Sequence, residues 1–320
     1  MEQSQKRQDM IKAAKLYYYG NMSQDTIAEM LGISRPKVSR LLAEARKIGI
    51  VKIEVADPNF SYKYQDNAER IRDYFNLLYV KIVPSGADED IAKTNVGRAA
   101  SDFLNDHIHD TSRIGLSWGT TLASFAREFR AKSSYPNACV VQLVGGTYSQ
   151  SMNIDARELV KTISGKLHCK YSLLQGPMIV HNPALRDLLM QEPAVIEHFQ
   201  LIHELDMAFV GIGKSHDRDS VVLRANYIAE EEAYQLYQLG MVCDICGHQL
   251  KADGSSPHTF LSNRVFGISL EELRNVPLVM GLCVGHKKTE PLLAALRGKY
   301  LTGIIIDEVA AISLISAIGL

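Results

Sequence analysis

Two groups of residues in this 320-residue chain have the types and spacing to do chemistry. The first is the run Arg35-Pro-Lys-Val-Ser-Arg40. Arg35, Lys37, Ser39 and Arg40 are donors that suit phosphates and base edges, and Pro36 is tolerated if it falls in a helix's first turn. Gln24, at the start of the helix before it, is placed for a phosphate contact. The second group is a set of glycine-bearing turns. Ile114-Gly-Leu-Ser-Trp-Gly-Thr-Thr121 reads as strand, turn and helix: Gly119 lets the backbone approach closely, Thr120 and Thr121 bring hydroxyls, and the helix start brings unpaired N–H groups. Gly145-Gly146, Gly211-Ile-Gly213 and Gly285-His-Lys-Lys288 follow other apolar runs in the same way. Lys287 and Lys288 could set positive charge beside a phosphate. Asp244, between Cys243 and Ile245, either caps a turn or accepts sugar hydroxyls. The plain alternatives are ordinary tight turns, helix caps and solvated lysines, with Trp118 a core residue.

The elements that must carry the basic group form a helix-turn-helix. Ser23 caps a helix over Gln24–Leu31, Ala28 is small enough for a close crossing, and Gly32 takes the positive φ of the turn. From Ser34 to Ile48, the residues Val38, Leu41, Leu42, Ala45 and Ile48 make one apolar stripe, and Lys37, Arg40 and Lys47 lie mostly opposite. A recognition helix needs this division, one face for its neighbour and one for the major groove. A first helix is expected over 8–19. After Gly49, Ile50–Val55 alternates as a short strand, either a wing or an exit strand, and Asp57-Pro58-Asn59 breaks the pattern. The expected division is a DNA-binding domain at 1–56 and an effector-binding and oligomerisation domain at 57–320. Tyr64, Ala68, Ile71 and Phe75 then form one helical stripe, suited to a dimer contact or to packing on the chain's own body.

Further along, apolar runs alternate with helical windows. Strands are expected at Leu78–Val83, Ile114–Trp118, Val140–Val144, Tyr171–Leu174, Met207–Ile212, Leu278–Val284 and Gly303–Ile306. Helices fall at Ile91–Asp106, Leu122–Ala131, Ile154–Gly165, Ala194–Leu205, Glu230–Leu239, Glu290–Arg297 and Glu308–Ile318. This pattern predicts a doubly wound, mostly parallel α/β sheet, whose ligands sit beyond the carboxyl ends of the strands.

Charge follows the same division. The chain's net charge is −1, but residues 1–55 hold ten basic against six acidic residues (net +4) and the remainder 25 against 30 (net −5). A basic head on an acidic body suits a nucleic-acid reader, and +4 is modest enough that dimerisation is expected to supply affinity. The five cysteines are irregularly placed; Cys243 and Cys246 have redox-motif spacing without a second pair. The ten histidines are scattered, with His107 and His109 at a helix end, and no Gly-x-Ser-x-Gly elbow, Walker loop or zinc signature is present. No metal site, cofactor or catalytic residue is therefore expected. The polar first residues and the absence of a run of membrane-spanning length lead to the expectation of a cytoplasmic protein with no membrane partner.

Over nearly its whole length the sequence resembles the SorC-type sugar-binding transcriptional regulators. The matching stretches are Ser23–Leu42, Gly115–Thr121, Gln142–Gly146, Ala208–Gly213, Val242–Gly247, Arg264–Leu273, Gly281–Glu290 and Leu296–Glu308. The resemblance implies a helix-turn-helix (winged-helix-like) head and a Rossmann-like effector domain of sugar-phosphate isomerase type. It implies a phosphorylated sugar as inducer and a homodimer or homotetramer on double-stranded operator DNA, expected to be an inverted repeat. It also implies that Gly119, Thr120, Thr121, Gln142, Gly145, Gly146, Asp244, Gly285 and Lys288 form the effector site. The deoxyribonucleoside-regulator branch looks nearest, and its members can hold deoxyribose 5-phosphate through a lysine in the Gln-Leu-x-Gly-Gly turn. Val144 stands at that position here, and without an amine no Schiff base forms. Gln249-Leu-Lys likewise replaces the family's usual aromatic run. The expected function is thus an effector-controlled regulator, most simply a repressor, of carbohydrate or nucleoside catabolism genes. The rival is a sugar-phosphate isomerase or deaminase fused to a DNA-binding head.

Overall fold

Gly32 adopts φ +64°, and the N–H groups of Gly32 and Ile33 turn back onto the carbonyls of Glu29 and Ala28, at 3.2 and 3.0 Å. A Cβ is strained in that conformation, so glycine ends the helix there. Three helices pack around this turn: α1 (Glu2–Ala14), which continues as a π-helical turn at Lys15–Tyr19, α2 (Gln24–Leu31) and α3 (Arg35–Lys47). The computed structural model describes residues 2–20, 22–48, 50–51, 58–146, 154–216 and 220–320. The chain divides into two units, Met1–Phe60 and Ser61–Leu320. Ser23 accepts a hydrogen bond from Thr26 N at 3.1 Å and caps α2 as its sequence predicts. Ser34 takes the N-cap backbone conformation of α3 without a side-chain cap bond. Val38, Leu41, Leu42 and Ala45 are buried against Ala13, Ile27 and Ala28, whereas Ile48, just past the helix end, is 52% exposed. Most of the expected strand at 50–55, Gly49, the boundary residue Asp57 and Thr147 lie outside the described residues.

The second unit holds most of α4 (Pro58–Phe75), then β1 (Tyr79–Val83), α5 (Glu89–His107), β2 (Arg113–Leu116), α6 (Thr120–Glu128), β3 (Cys139–Gln142), α7 (Ala156–Leu167) and β4 (Lys170–Ser172). There follow α8 (Pro183–Leu189), α9 (Pro193–His203), β5 (Met207–Gly211), β6 (Gly213–Lys214), α10 (Val221–Arg224), α11 (Glu230–Gln238), β7 (Met241–Ile245) and β8 (His248–Lys251). The last elements are α12 (Leu270–Asn275), β9 (Leu278–Cys283), α13 (Thr289–Arg297), β10 (Gly303–Asp307) and α14 (Glu308–Ile318).

Among the described residues seven strands form one sheet in the order β1-β10-β9-β5-β2-β3-β4, with every pairing parallel. These are the seven strands the apolar runs predict, with ends within two residues. Met207 and Phe209 of β5 join a core built with α5, α6 and α7, while Ala208 and Val210 join the opposite core with α13 and α14. Burial on both faces is what makes these strands read as continuous apolar runs. The stripe of α4 packs on this body: Tyr64 and Ile71 are buried in the second of these cores, with Ala68 and Phe75 against it. From β2 the chain steps outward to β3 and β4, then returns to β5 and steps the other way through β9 and β10. The order therefore reverses between β2 and β5, the point where open α/β sheets bind ligands.

Sequence periodicity does not predict the small antiparallel sheet β6-β7-β8. Its hairpin turns on Cys246 and Gly247, at φ +53° and +85°. Two positive φ values suit the twist of a two-residue hairpin, but the usual sequence sign is Asn-Gly or Asp-Gly, and cysteine hides it. The helices α8, α10 and α12 are also unpredicted, being too short to establish a period. Among the described residues no helix is long and apolar enough to cross a membrane.

Candidate functional site

A cleft opens at the reversal point between β2 and β5, with about 570 Å³ of atom-free space including its mouth. Ser117–Thr121 reach it from the turn after β2, Gly211–Gly213 from the end of β5, and Asp244 and Cys246 from the β7–β8 hairpin. Leu282–Val284 and Lys288 line it after β9, and Glu89 and Lys93 from the first turns of α5. Of the residues chosen from sequence, the fold thus brings Gly119, Thr120, Thr121, Asp244 and Lys288 together.

Each wall has a local cause. Gly119 precedes α6 at φ +136°, and a Cβ there would point into open space, so the first N–H groups of α6 stay approachable. Gly285, at φ +80°, starts the short 3₁₀ turn His286–Lys288. Its N–H donates to Asp307 Oδ1 at 2.8 Å, the oxygen that also caps α14 by accepting from Ala310 N at 3.2 Å. Asp307 Oδ2 accepts from Ser85 Oγ at 2.6 Å. The buried Asp307 therefore ties the Lys288 turn to the ends of β10 and β1.

Asp244 is 8% exposed and pairs with Gly213 across the small sheet. Burial lifts its carboxyl to about 6, against the pull of a hydrogen bond from Gln249 Nε2 (2.6 Å), one from Gly247 N and the charge of Lys288. A carboxylate held so near neutrality can accept sugar hydroxyls or hold a proton. Cys246 and Cys283 line the same cleft, and burial pushes both thiols up to about 12. Cys243 is raised well above its ordinary range for the same reason. All five cysteines are free, and thiols so raised are poor nucleophiles and poor metal ligands. Among the described residues no cluster of three or more metal-ligating side chains occurs.

Gln142, Gly145 and Gly146 sit at the end of β3, apart from the residues lining the cleft. Gln142 is fully buried; its Nε2 donates to Val144 O at 2.6 Å and its Oε1 accepts from Leu174 N at 3.2 Å. His198 Nε2 donates to the Gln142 carbonyl at 2.7 Å while Nδ1 accepts from Ser172 Oγ at 2.7 Å, and burial holds this imidazole below its usual range. Gly145 N donates to Phe266 O and Gly146 N to Gly176 O; a Cβ on Gly145 would lie 2.6 Å from the Pro177 backbone. Val144 is buried in a bridge to Gly267. Glu89 and Lys93 are cleft residues that sequence reasoning missed. Their only sequence sign was an i,i+4 pair at a helix start, which most surface helices share.

In the head, Arg35, Pro36, Lys37, Ser39 and Arg40 are all exposed on one side of α3, and Gln24 is half-buried at the start of α2. Arg35 Nε lies 3.5 Å from Asp25 Oδ1, with both side chains mostly exposed, and Arg40 Nε donates to Pro36 O at 3.3 Å. Such surface contacts are weak and yield readily to phosphate.

The profile of the sugar-binding domain family Sugar-bind matches residues 63–316. The transcriptional regulator YjhU of Escherichia coli K12 is 31% identical over 305 residues, 93% of this chain and 92% of that protein. The deoxyribonucleoside regulator of Bacillus subtilis is 29% identical over 314 residues, 98% of each chain. The full-length sorbitol operon regulator SorC of Klebsiella pneumoniae, a solved structure, aligns with a TM-score of 0.77 at 26% identity, over 95% of this chain and 97% of its own.

Proposed function

The chain belongs to the SorC-type family of sugar-binding transcriptional regulators, and on that premise we propose that a phosphorylated sugar in the β2/β5 cleft controls its grip on operator DNA. These relatives are regulators, not enzymes, so the isomerase or deaminase reading has no support from them. The observation that carries the proposal is the convergence of three separate turns. Gly119–Thr121, Asp244 and Lys288 are far apart in sequence yet line one cleft at the sheet's reversal point. Hydroxyls, helix-start N–H groups and an ammonium suit a phosphate, and a buried carboxylate suits sugar hydroxyls. No cofactor enters this reading.

At the DNA end, Arg35, Lys37, Ser39 and Arg40 reach into the major groove with Gln24 on a phosphate, and Pro36 holds the first turn of α3 against the duplex. A homodimer or homotetramer would place two such helices on an inverted repeat. The effector must bind DNA-competent and DNA-incompetent arrangements with different affinity, typically by ~1–3 kcal/mol. The test is a panel of pentose and hexose phosphates screened for a rise in melting temperature, with positives retested on operator binding by fluorescence anisotropy. A phosphate that does both supports the reading. A panel that changes neither leaves a constitutive DNA-binding protein, and turnover of a bound sugar phosphate would restore the enzyme.

A further inference from the structure

We propose that Lys93 is an anion ligand of the cleft and that Glu89 is the counter-ion which an incoming phosphate displaces. The inference rests on the effector reading and adds to it two residues on a different element. The helices α5 and α6 run side by side in one direction. Thr94 meets Arg127, Arg98 meets Glu128 at 3.1 Å, and Ser101 Oγ accepts from Arg130 N, so contacts advance together along both. Gly97 sets the spacing, since a Cβ there would lie 2.8 Å from the backbone of Ser124. One turn back on each helix, Lys93 and Thr120–Thr121 come to the same end, and all three line the cleft.

The Lys93–Glu89 pair is asymmetric. Its N–O distance is 2.7 Å, but the Lys93 side chain is 15% exposed and that of Glu89 69%. The ammonium is on the protein side of the pair and the carboxylate is at solvent. An ion pair with one solvated member contributes little, so exchanging that carboxylate for a doubly charged phosphate costs little and gains charge-assisted hydrogen bonds. Lys93 then adds a full positive charge beside the hydroxyls and N–H groups of the first turn of α6. The competing carboxylate tunes affinity downward, so half-saturation takes a higher effector concentration.

The experiment is calorimetric titration of the full chain with inorganic phosphate at ionic strength held constant by chloride, repeated with any sugar phosphate positive in the panel. Lys93→Met is expected to raise the apparent Kd about tenfold and Glu89→Gln to lower it about threefold, because the amide no longer competes. The opposite signs matter, since a pair that merely stabilises α5 would weaken binding in both variants. Binding by Lys93→Met within twofold of the parent, or a weaker Glu89→Gln, overturns the assignment while leaving the effector reading intact. A parent protein that binds neither inorganic phosphate nor any sugar phosphate overturns both. Glu89→Gln preserves volume and helix propensity, so it decides the question even if Lys93→Met folds poorly.

Discussion

At the scale of single residues, Asp244 holds its proton more tightly in the folded chain than in the unfolded one. Burial raises its carboxyl to about 6, while an unfolded aspartate titrates near ~3.9. A raised carboxyl contributes stability that is complete below the unfolded value and is lost as pH rises from there through about 6. Asp244→Asn should therefore stabilise the ligand-free protein at pH 7.5 by on the order of 2 kcal/mol, with the gain shrinking towards pH 4. Urea unfolding at the two pH values checks this; an equal gain at both would show that ionisation is not the cause. The same variant should lose most of its response to effector, since the amide keeps one acceptor oxygen in place of two and brings no charge to the hydroxyls. On α3, Arg40 is exposed and donates from Nε to the Pro36 carbonyl at 3.3 Å. Arg40→Ala should weaken operator binding by about tenfold or more, roughly one base or phosphate contact in each subunit, in an anisotropy titration at fixed salt. Unchanged affinity would remove Arg40 from the DNA contacts. The residue identities at 119–121, 244 and 288 could be chosen from sequence because glycine, hydroxyl and charge at strand ends carry a local meaning. Lys93 could not, because nothing local distinguishes it from a solvated surface lysine.

At the scale of elements, the cleft depends on how closely α5 and α6 approach. Gly97→Val places a branched side chain where a single Cβ already meets backbone atoms of Ser124 and Phe125 at 2.8–2.9 Å. Backbone cannot yield as a flexible side chain does, so the helices must separate. The expected cost is about 1–3 kcal/mol, read as a lower urea midpoint, together with weaker effector binding because Lys93 and Thr120 move apart. A variant of parental stability would mean that the two helices are not in close contact. Elements themselves were largely legible. The seven strands of the main sheet and the α2 helix follow from apolar runs, Ser23 and Gly32. The antiparallel β6-β7-β8 sheet was not, although it carries Asp244, because its hairpin uses Cys246 where an asparagine or aspartate would announce the turn.

At the scale of the whole molecule, the two units have separate cores, one around Val38 and Ala45 in the head and two on either face of the sheet in the body. A fragment spanning residues 61–320 should keep the melting-temperature rise with effector and lose operator binding, as thermal shift and anisotropy on the same preparation would show. A fragment without an effector response would mean that the head contributes to the effector site. Read alone, the amino-acid order determined the helix-turn-helix, the strand and helix alternation, and the turns able to hold an anion. These depend on hydrophobic period, caps and positive φ, all properties of neighbouring residues. Only the tertiary structure decided which turns meet. The order β1-β10-β9-β5-β2-β3-β4 puts the turns after β2, β5 and β9 around one cleft, with the β7–β8 hairpin and the start of α5, while Gln142, Gly145 and Gly146 lie beside it in a hydrogen-bonded corner. Strand order is settled by which helices can bury their apolar stripes on which face of the sheet, a competition among segments distant in the chain. No local pattern records its outcome.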